Sequence, residues 1–494
     1  MAVVSSFLGL RCRNWLLLGS VLFWGATVFL LLFVKEAGAR FASRLSLSTG
    51  EEYNDNIFFN EDKKADFVTV ITPTLSFLHQ RGGQNSPIWN ADLSAAGQIY
   101  ARHSELNNFG DRLTAQTSYF YPYSSRLTVR MSDCLERRGA TRLGAYAGGG
   151  LASSGGFGRL STQGGFSGVS NGGCGSYGSI GSLSTRTDQA TSARNIDVVG
   201  LGETLENRFS VQSGFQYSPT LNFGAMYSWR YMAFFDEGGM EQSHAISLRG
   251  TYSRWRQHNL YASYGPEFFR SREGGYTTIH NIDFGDDFLT SRQIQLTPTL
   301  SLFASTGLAL RTNANKFGVT HRMDVSIAKL WRTALLAGGV RRGLTGSYGI
   351  DGISYTTGFY GYFHIYLSRR LLGVAAVDFS MFETETTRND FRTFQVVAGL
   401  QYWITNWLSA NLAYNYRQLT PDNFSAADSN LRQLKANANS IFIALAAHFD
   451  LWPNFSLARG MAASQLMPPA APGVTTSSGP TAPASPIPQG PTTP

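Results

Sequence analysis

Along Leu45–Phe77 the chain reads LSLSTGEEYNDNIFFNEDKKADFVTVITPTLSF, two segments of strong β character around a polar loop dense in Asn, Asp and Lys. In the second segment Phe67, Thr69, Ile71, Pro73, Leu75 and Phe77 fall on one side of the pleat. Asp66, Thr72, Thr74 and Ser76 fall on the other, with Val68 and Val70 among them. Successive side chains of a strand point to opposite faces, so this alternation means one greasy face and one wet face. It recurs down to Phe449. In 220–233, Leu221, Phe223, Ala225, Tyr227, Trp229 and Tyr231 alternate with Asn222, Gly224, Met226, Ser228 and Arg230. In 407–419, Leu408, Ala410, Leu412, Tyr414 and Tyr416 alternate with Ser409, Asn411, Ala413, Asn415 and Arg417. The pattern predicts an all-β chain, a transmembrane antiparallel up-and-down β-barrel of about 18 strands, with 16 as the alternative count.

The strands fall near 41–52, 65–79, 88–102, 110–122 and 125–137, then, after a long gap, near 205–217, 220–233, 243–254, 257–270 and 280–296. The rest lie near 299–312, 316–331, 333–344, 352–368, 371–384, 390–404, 407–419 and 436–450. Very short turns follow the even strands, as at Ser218-Pro219, Thr297-Pro298 and Thr405-Asn406, whereas longer polar or Gly-rich loops follow most odd ones. Bacterial outer-membrane barrels have short periplasmic turns, long extracellular loops and an even strand number. This alternation therefore expects both termini, Ser124 and Asn406 in the periplasm, and Asn54–Lys64 and 137–204 outside the cell.

Composition agrees. Charged residues are 15% of the chain and aromatics 13%, against roughly 25% charged in soluble domains. Apolar surface spread over every second residue gives such a chain without long greasy runs. A soluble sandwich would also alternate, and a propeller needs a repeated blade motif that is absent here. The formal charge of +8 is dispersed, with no basic helix or nucleic-acid motif.

At the N-terminus Arg11 and Arg13 precede an apolar stretch, Leu16–Val34, and Ala37-Gly38-Ala39 offers a small-x-small cleavage site. That order is a secretory signal peptide, assigned to 1–39; an uncleaved helical anchor is the competing reading. The barrel is assigned to 40–450. Within it 137–204 is a Gly/Ser-rich extracellular loop that cannot bury a core, expected to be disordered or partly a lumen plug. A phosphate-cradling loop would need a strand before the glycines and a helix after them. The tail, 451–494, is Pro/Ala/Thr-rich, extended and disordered, with a reach in the periplasm toward export components.

The chemistry-bearing residues are few. Cys134 and Cys174 follow the signal, and an oxidising compartment permits a disulfide that no spacing demands. Eight scattered His supply no metal cluster, and no cofactor site is expected. Ser243 with His244, and His321 near Asp324, are the best candidates for a catalytic pair. A nucleophile and its base must meet in space, and no enzyme is expected. The face opposite the apolar one carries Arg112, Arg126, Arg130, Arg208, Arg230, Arg322 and Arg417, with Asn411 and Asn415, while Asp324 and Asp378 are the clearest acids. These residues are expected to line the pore. Either the arginines pair across the lumen and hold the barrel in shape, or they make a weakly basic conduit for anionic solutes.

The loop YNDNIFFNEDKKADFVTVITPTLSF resembles the opening of the β-barrel porin 2 family, in which a strand, an aromatic-Asn-Asp-Asn loop, an acidic residue and a strand with a central Pro follow one another. SPTLNFGAMYSWRYMAFFDE, LSRRLLGVAAVDFSMFETETT and ITNWLSANLAYNYRQ are similar to later pieces, so the resemblance covers roughly 43–449. It implies an outer-membrane barrel linked with exopolysaccharide production and exosortase-type loci, hence polysaccharide or small anionic solutes as partners besides outer-membrane lipid. The long Gly-rich loop and Pro-rich tail depart from the family pattern. Two functions remain in view: a porin-type conduit, and a non-conducting scaffold barrel whose loops and tail bind partners.

Overall fold

In a computed structural model the described residues run from 39 to 451. Residues 1–38 and 452–494 lie outside them, as do 58–62, 82–86, 139–202, 236–237, 254–257, 272–274, 291–298, 314–315, 332, 347–352, 369, 385–389, 406 and 424–435. The readings of a signal peptide, a Gly/Ser-rich loop and a Pro-rich tail therefore fall outside the described residues.

The first strands are β1 (Ala39–Asn54), β2 (Asp66–Arg81), β3 (Ile88–Tyr100), β4 (Asn108–Pro122), β5 (Leu127–Arg138) and β6 (Thr204–Gln216). Then come β7 (Leu221–Phe234), β8 (Met240–Tyr252), β9 (His258–Arg270), β10 (Tyr276–Thr290), β11 (Thr299–Asn313) and β12 (Lys316–Leu330). The last are β13 (Ala334–Gly346), β14 (Ile353–Tyr366), β15 (Leu371–Thr384), β16 (Asp390–Trp403), β17 (Leu408–Asn423) and β18 (Ala436–Asp450). Each strand pairs antiparallel with the next, and β1 pairs with both β2 and β18, so the sheet of 18 closes on itself. The alternative count of 16 is thereby excluded.

Parity along each strand separates the two faces. On β2, Phe67 and Pro73 are exposed outside while Asp66, Val68, Val70, Thr72, Thr74 and Ser76 are buried inside. Exposed aromatics gather toward both ends of the outer wall. Tyr53 and Phe67 lie in contact at the long-loop end, while Tyr119, Tyr121 and Tyr123 form a row, and Trp407 stacks on Phe449, at the short-turn end. Amphipathic rings collect where hydrocarbon meets water.

One device recurs in the short turns. Ser124, Ser218, Ser368 and Thr405 each use a hydroxyl oxygen to accept two backbone N–H groups, two and three residues on. The distances are 3.2 and 3.0 Å at Ser124, and 3.3 and 3.0 Å at Ser218. They are 3.2 and 3.0 Å at Ser368, and 3.3 and 3.0 Å at Thr405. A short hydroxyl side chain that satisfies local backbone donors is what makes Ser and Thr turn formers.

The Asn-Asp-Asn run closes the barrel. Asn54 Oδ1 accepts the Asn56 N–H at 2.9 Å, and Asn56 Nδ2 donates to the Asn437 carbonyl at 2.9 Å. Asp55 accepts both the backbone N–H and the side-chain amide of Asn439, at 2.6 and 2.8 Å. These bonds carry the end of β1 across to the start of β18, so the motif clamps the first strand to the last.

Two expectations need correction. β10 begins at Tyr276, not at 280, and runs to Thr290; the expected reach to 296 and the turn at Thr297-Pro298 fall outside the described residues. Its start is set by pairing to β9, where Tyr276 faces Arg270. β5 begins at Leu127, which leaves Arg126 exposed in the turn and off the wall.

Candidate functional site on the inner wall

Arg208, Arg230, Arg322, Asp324, Asn411, Asn415 and Arg417 share the inward parity of their strands, as does Arg130 on β5 with buried Cys134 and Glu136. Arg112 stands on β4 between Ala96 and Arg138, and its side chain lies outside the described ones. Arg126 is the one expected wall residue that the fold places in a turn.

Four inward arginines have carboxylate partners. Glu206 Oε1 receives the Nε of Arg230 at 2.6 Å and that of Arg208. Arg322 Nη1 donates to Asp283 at 2.7 Å, and Arg341 lies 3.8 Å from Asp378. The inner wall carries more acids than Asp324 and Asp378. Glu52, Glu136, Glu206 and Glu241 are all inside and buried. Parity was the signal for them, since Glu136 is in step with Arg130, and Glu206 with Arg208.

Register orders these charges. Glu136 faces Glu206, which faces Met232, which faces Glu241, so three carboxylates lie along one line across β5–β8. The next inward line toward the short turns reads Cys134, Arg208, Arg230 and Ser243. Acid thus lies above base on one patch of wall. Like charges directly opposed on neighbouring strands repel, and the guanidinium line beneath offsets that repulsion. Farther round the wall, Arg249 rests on the Tyr261 ring at 3.8 Å. Cys134, in the basic line, is disulfide-bonded; its partner sulfur lies outside the described residues, and so does Cys174.

The catalytic pairs do not form. Ser243 is buried inside, whereas His244 points outward and binds Tyr227 Oη at 2.8 Å. Likewise Asp324 is inward while His321 is outward, 2.8 Å from the Thr306 hydroxyl. Residues of opposite parity on one strand cannot share a site. No metal-binding group of His, Cys, Asp or Glu occurs among the described residues.

Asp66 holds a second polar cluster at the long-loop end. Its buried carboxylate accepts the N–H groups of Phe67 at 2.8 Å, Arg102 at 3.0 Å and His103 at 3.0 Å, and meets His103 Nδ1 at 2.8 Å. These contacts fix the connection 101–107.

No family model matches the chain, and no curated protein does. Among solved structures the chain is similar to Pseudomonas aeruginosa OpdL, at 9% identity and a TM-score of 0.44, over 83% of this chain and 99% of that one. It is similar to an anion-selective porin from Comamonas acidovorans, at 10% identity and 0.33, over 83% and 100%. It is also similar to Pseudomonas aeruginosa OccK2 (OpdF) in complex with glucuronate, at 8% identity and 0.42, over 83% and 98%.

Proposed function

We propose that this chain is a bacterial outer-membrane porin, a passive conduit for small hydrophilic solutes. The observation that carries the proposal is the closed sheet of 18 strands with an apolar outer face and a polar, charged inner one. Spanning strands must satisfy their backbone groups within the protein, which a closed barrel does. Barrels of about 16–18 strands are wide enough to leave an aqueous channel that side chains do not fill. With the long-loop end outside the cell, both termini are periplasmic.

Selectivity follows from the wall. Because Arg208, Arg230, Arg322 and Arg341 have carboxylate partners, we take their main role as structural, with a mild preference for anions left by the remaining positive charge. The family resemblance extends the cargo to exopolysaccharide or its anionic building units, with the tail reaching export components.

Reconstitution in planar bilayers tests the proposal. Discrete conductance steps with a reversal potential on the anion side are expected in a salt gradient. A silent barrel, properly folded, overturns the conduit. One observation favours the second reading, a barrel held non-conducting for a scaffold role: Cys134 carries its disulfide on the inner wall. Conductance that emerges only after reduction supports that reading.

A further inference from the structure

The lumen does not keep one bore from end to end. A closed ring of 18 strands, spaced about 4.8 Å and tilted about 40°, is about 36 Å across at the backbone. Packed sheets stand about 10 Å apart, so each face carries about 5 Å of side chain and a bore of about 26 Å remains.

Two apolar structures narrow it at the long-loop end. On one side Leu344, near the end of β13, is 4% exposed and packs with Tyr355 of β14 against Ile279 and Ala309. Those two residues belong to the inner face: Ile279 is in step with Asp283, which binds the inward Arg322, and Ala309 faces Thr320, in step with that arginine. The ends of β13 and β14 therefore lie as a second layer over the inner face of β10 and β11. A second layer takes about 10 Å from the bore. On the other side Ile57, just beyond β1, is 3% exposed against the inward Val68, Val70, Tyr100 and Phe442, and Leu106 packs on the same cluster. β10 stands nine strands from β1 either way round the ring, so the two buttresses face each other. Val68, Tyr100, Ile279 and Ala309 all lie within four residues of the long-loop ends of their strands.

Burial follows the same division. Toward the long-loop end inward side chains are buried, as at Gln98, Glu136, Glu206, Glu241, Phe269 and Phe391. Toward the short-turn end of β5–β7 the wall is open. There Arg130, Ser132, Ser210 and Ser228 are half-buried, and Gln212, directly opposite Arg130, is exposed. Gln212 shares the inward parity of Arg208, so the space it meets is the lumen. The groups that line this space are hydroxyl, amide and guanidinium, and Ser132 and Ser210 share a hydrogen bond of 2.6 Å.

We propose that the barrel is a one-sided funnel. A wide hydrophilic vestibule opens at the short-turn end along β5–β7, and the narrow mouth lies between the two buttresses at the long-loop end. Hydrophilic solutes load from the short-turn side, and those too wide for the mouth still enter the vestibule. Passage through the mouth rests on the conduit reading; the shape of the lumen does not.

The test uses the full chain with a C-terminal tag, which follows β18 at the short-turn end. Vesicles captured by that tag carry the short-turn end outside, and their fusion to a planar bilayer turns it toward the chamber of addition. Polyethylene glycols of graded size are then added to one chamber at a time. The largest polymer that lowers the conductance should be wider from the short-turn chamber by a factor of about 1.5, the ratio of the unnarrowed bore to one reduced by a second layer. Equal limits, or the wider limit on the long-loop side, overturn the funnel. Leu344→Ser loosens the second layer and should raise only the long-loop limit; a limit that stays in place overturns the assignment of the mouth to this buttress. Gln212→Cys alters an exposed residue and gives a reading that needs no current. In captured vesicles it should react with a polymer-linked maleimide added outside, above the background of the wild type, and in vesicles of the opposite orientation it should not. Equal reaction in both orientations, or none in either, overturns the vestibule. A barrel without current overturns the conduit, while labelling at residue 212 still decides the funnel.

Discussion

Replacing Glu206 by Gln removes a charge and almost no volume, and it tests the charge lines on the inner wall. Glu206 is 1% exposed and receives Arg208 and Arg230, which face each other directly across β6 and β7. Without the carboxylate, two guanidinium groups confront one another. Directly opposed side chains on neighbouring strands lie about 5 Å apart. At an effective dielectric near 20, a like pair at that distance costs about 3 kcal/mol. The arginine side chains are 19% and 14% exposed, so water screens only part of this. Glu136 and Glu241, in the same line as Glu206, offset another part. A net loss of about 2 kcal/mol remains, roughly a thirtyfold fall in the folded-to-unfolded ratio.

Unfolding in urea, followed by the gel shift between folded and heated barrel, reads this loss directly. Glu206→Gln should lower the midpoint, and Glu206→Gln with Arg208→Gln should recover most of it. In the same preparations the single variant removes one negative charge from the lumen and should move the reversal potential further toward anions. An unchanged midpoint in the single variant, or a double variant weaker than the single one, would show that the charges do not act on one another.

Three further outcomes are expected. Ser218→Ala deletes a hydroxyl that accepts two turn N–H groups and should cost about 1 kcal/mol in the same urea assay; no change would mean that water replaces it. Asp133, opposite Phe209 on the outward parity of β5, places a carboxyl in the apolar wall, so Asp133→Val should raise the midpoint through a stability gain of about 1–3 kcal/mol, and a lowered midpoint would assign the carboxyl a partner. Asp66→Ala frees the connection 101–107 from three anchoring contacts, to Arg102 and His103, and should speed tryptic cleavage after Arg102 on intact cells. Equal rates in wild type and variant would deny that anchor.

The barrel was legible because its rule is local. A period of two fixes the face of every side chain from sequence alone, and the long/short alternation of connections counts the strands. Where that rule has no edge, the reading slipped: nothing in the alternation marks Tyr276 as the first residue of β10, which pairing to Arg270 sets. Arg126 was placed on the wall for a related reason, since nothing in PYSSRLTV marks which residue starts the strand. There the Ser124 hydroxyl decides, by binding the N–H groups of Arg126 and Leu127.

What parity cannot supply is the neighbour. Arg208 and Arg230 were both visible as inward arginines, but that they share Glu206 depends on register, which brings residue 206 within reach of residue 230. Register is in turn set by turn length and by closure, through contacts such as Asp55 to Asn439 that join opposite ends of the sequence. The same limit explains why the sequence shows β12 and β13 as an ordinary pair. Leu344 alternates like any other wall residue, and only its packing against Ile279 and Ala309 shows that the end of β13 lies over the inner face of β10 and β11. A charge count over inward positions therefore overstates the field in the lumen. Each inward arginine that has a carboxylate beside it must first be discounted for that acid, and selectivity should follow the charges left over.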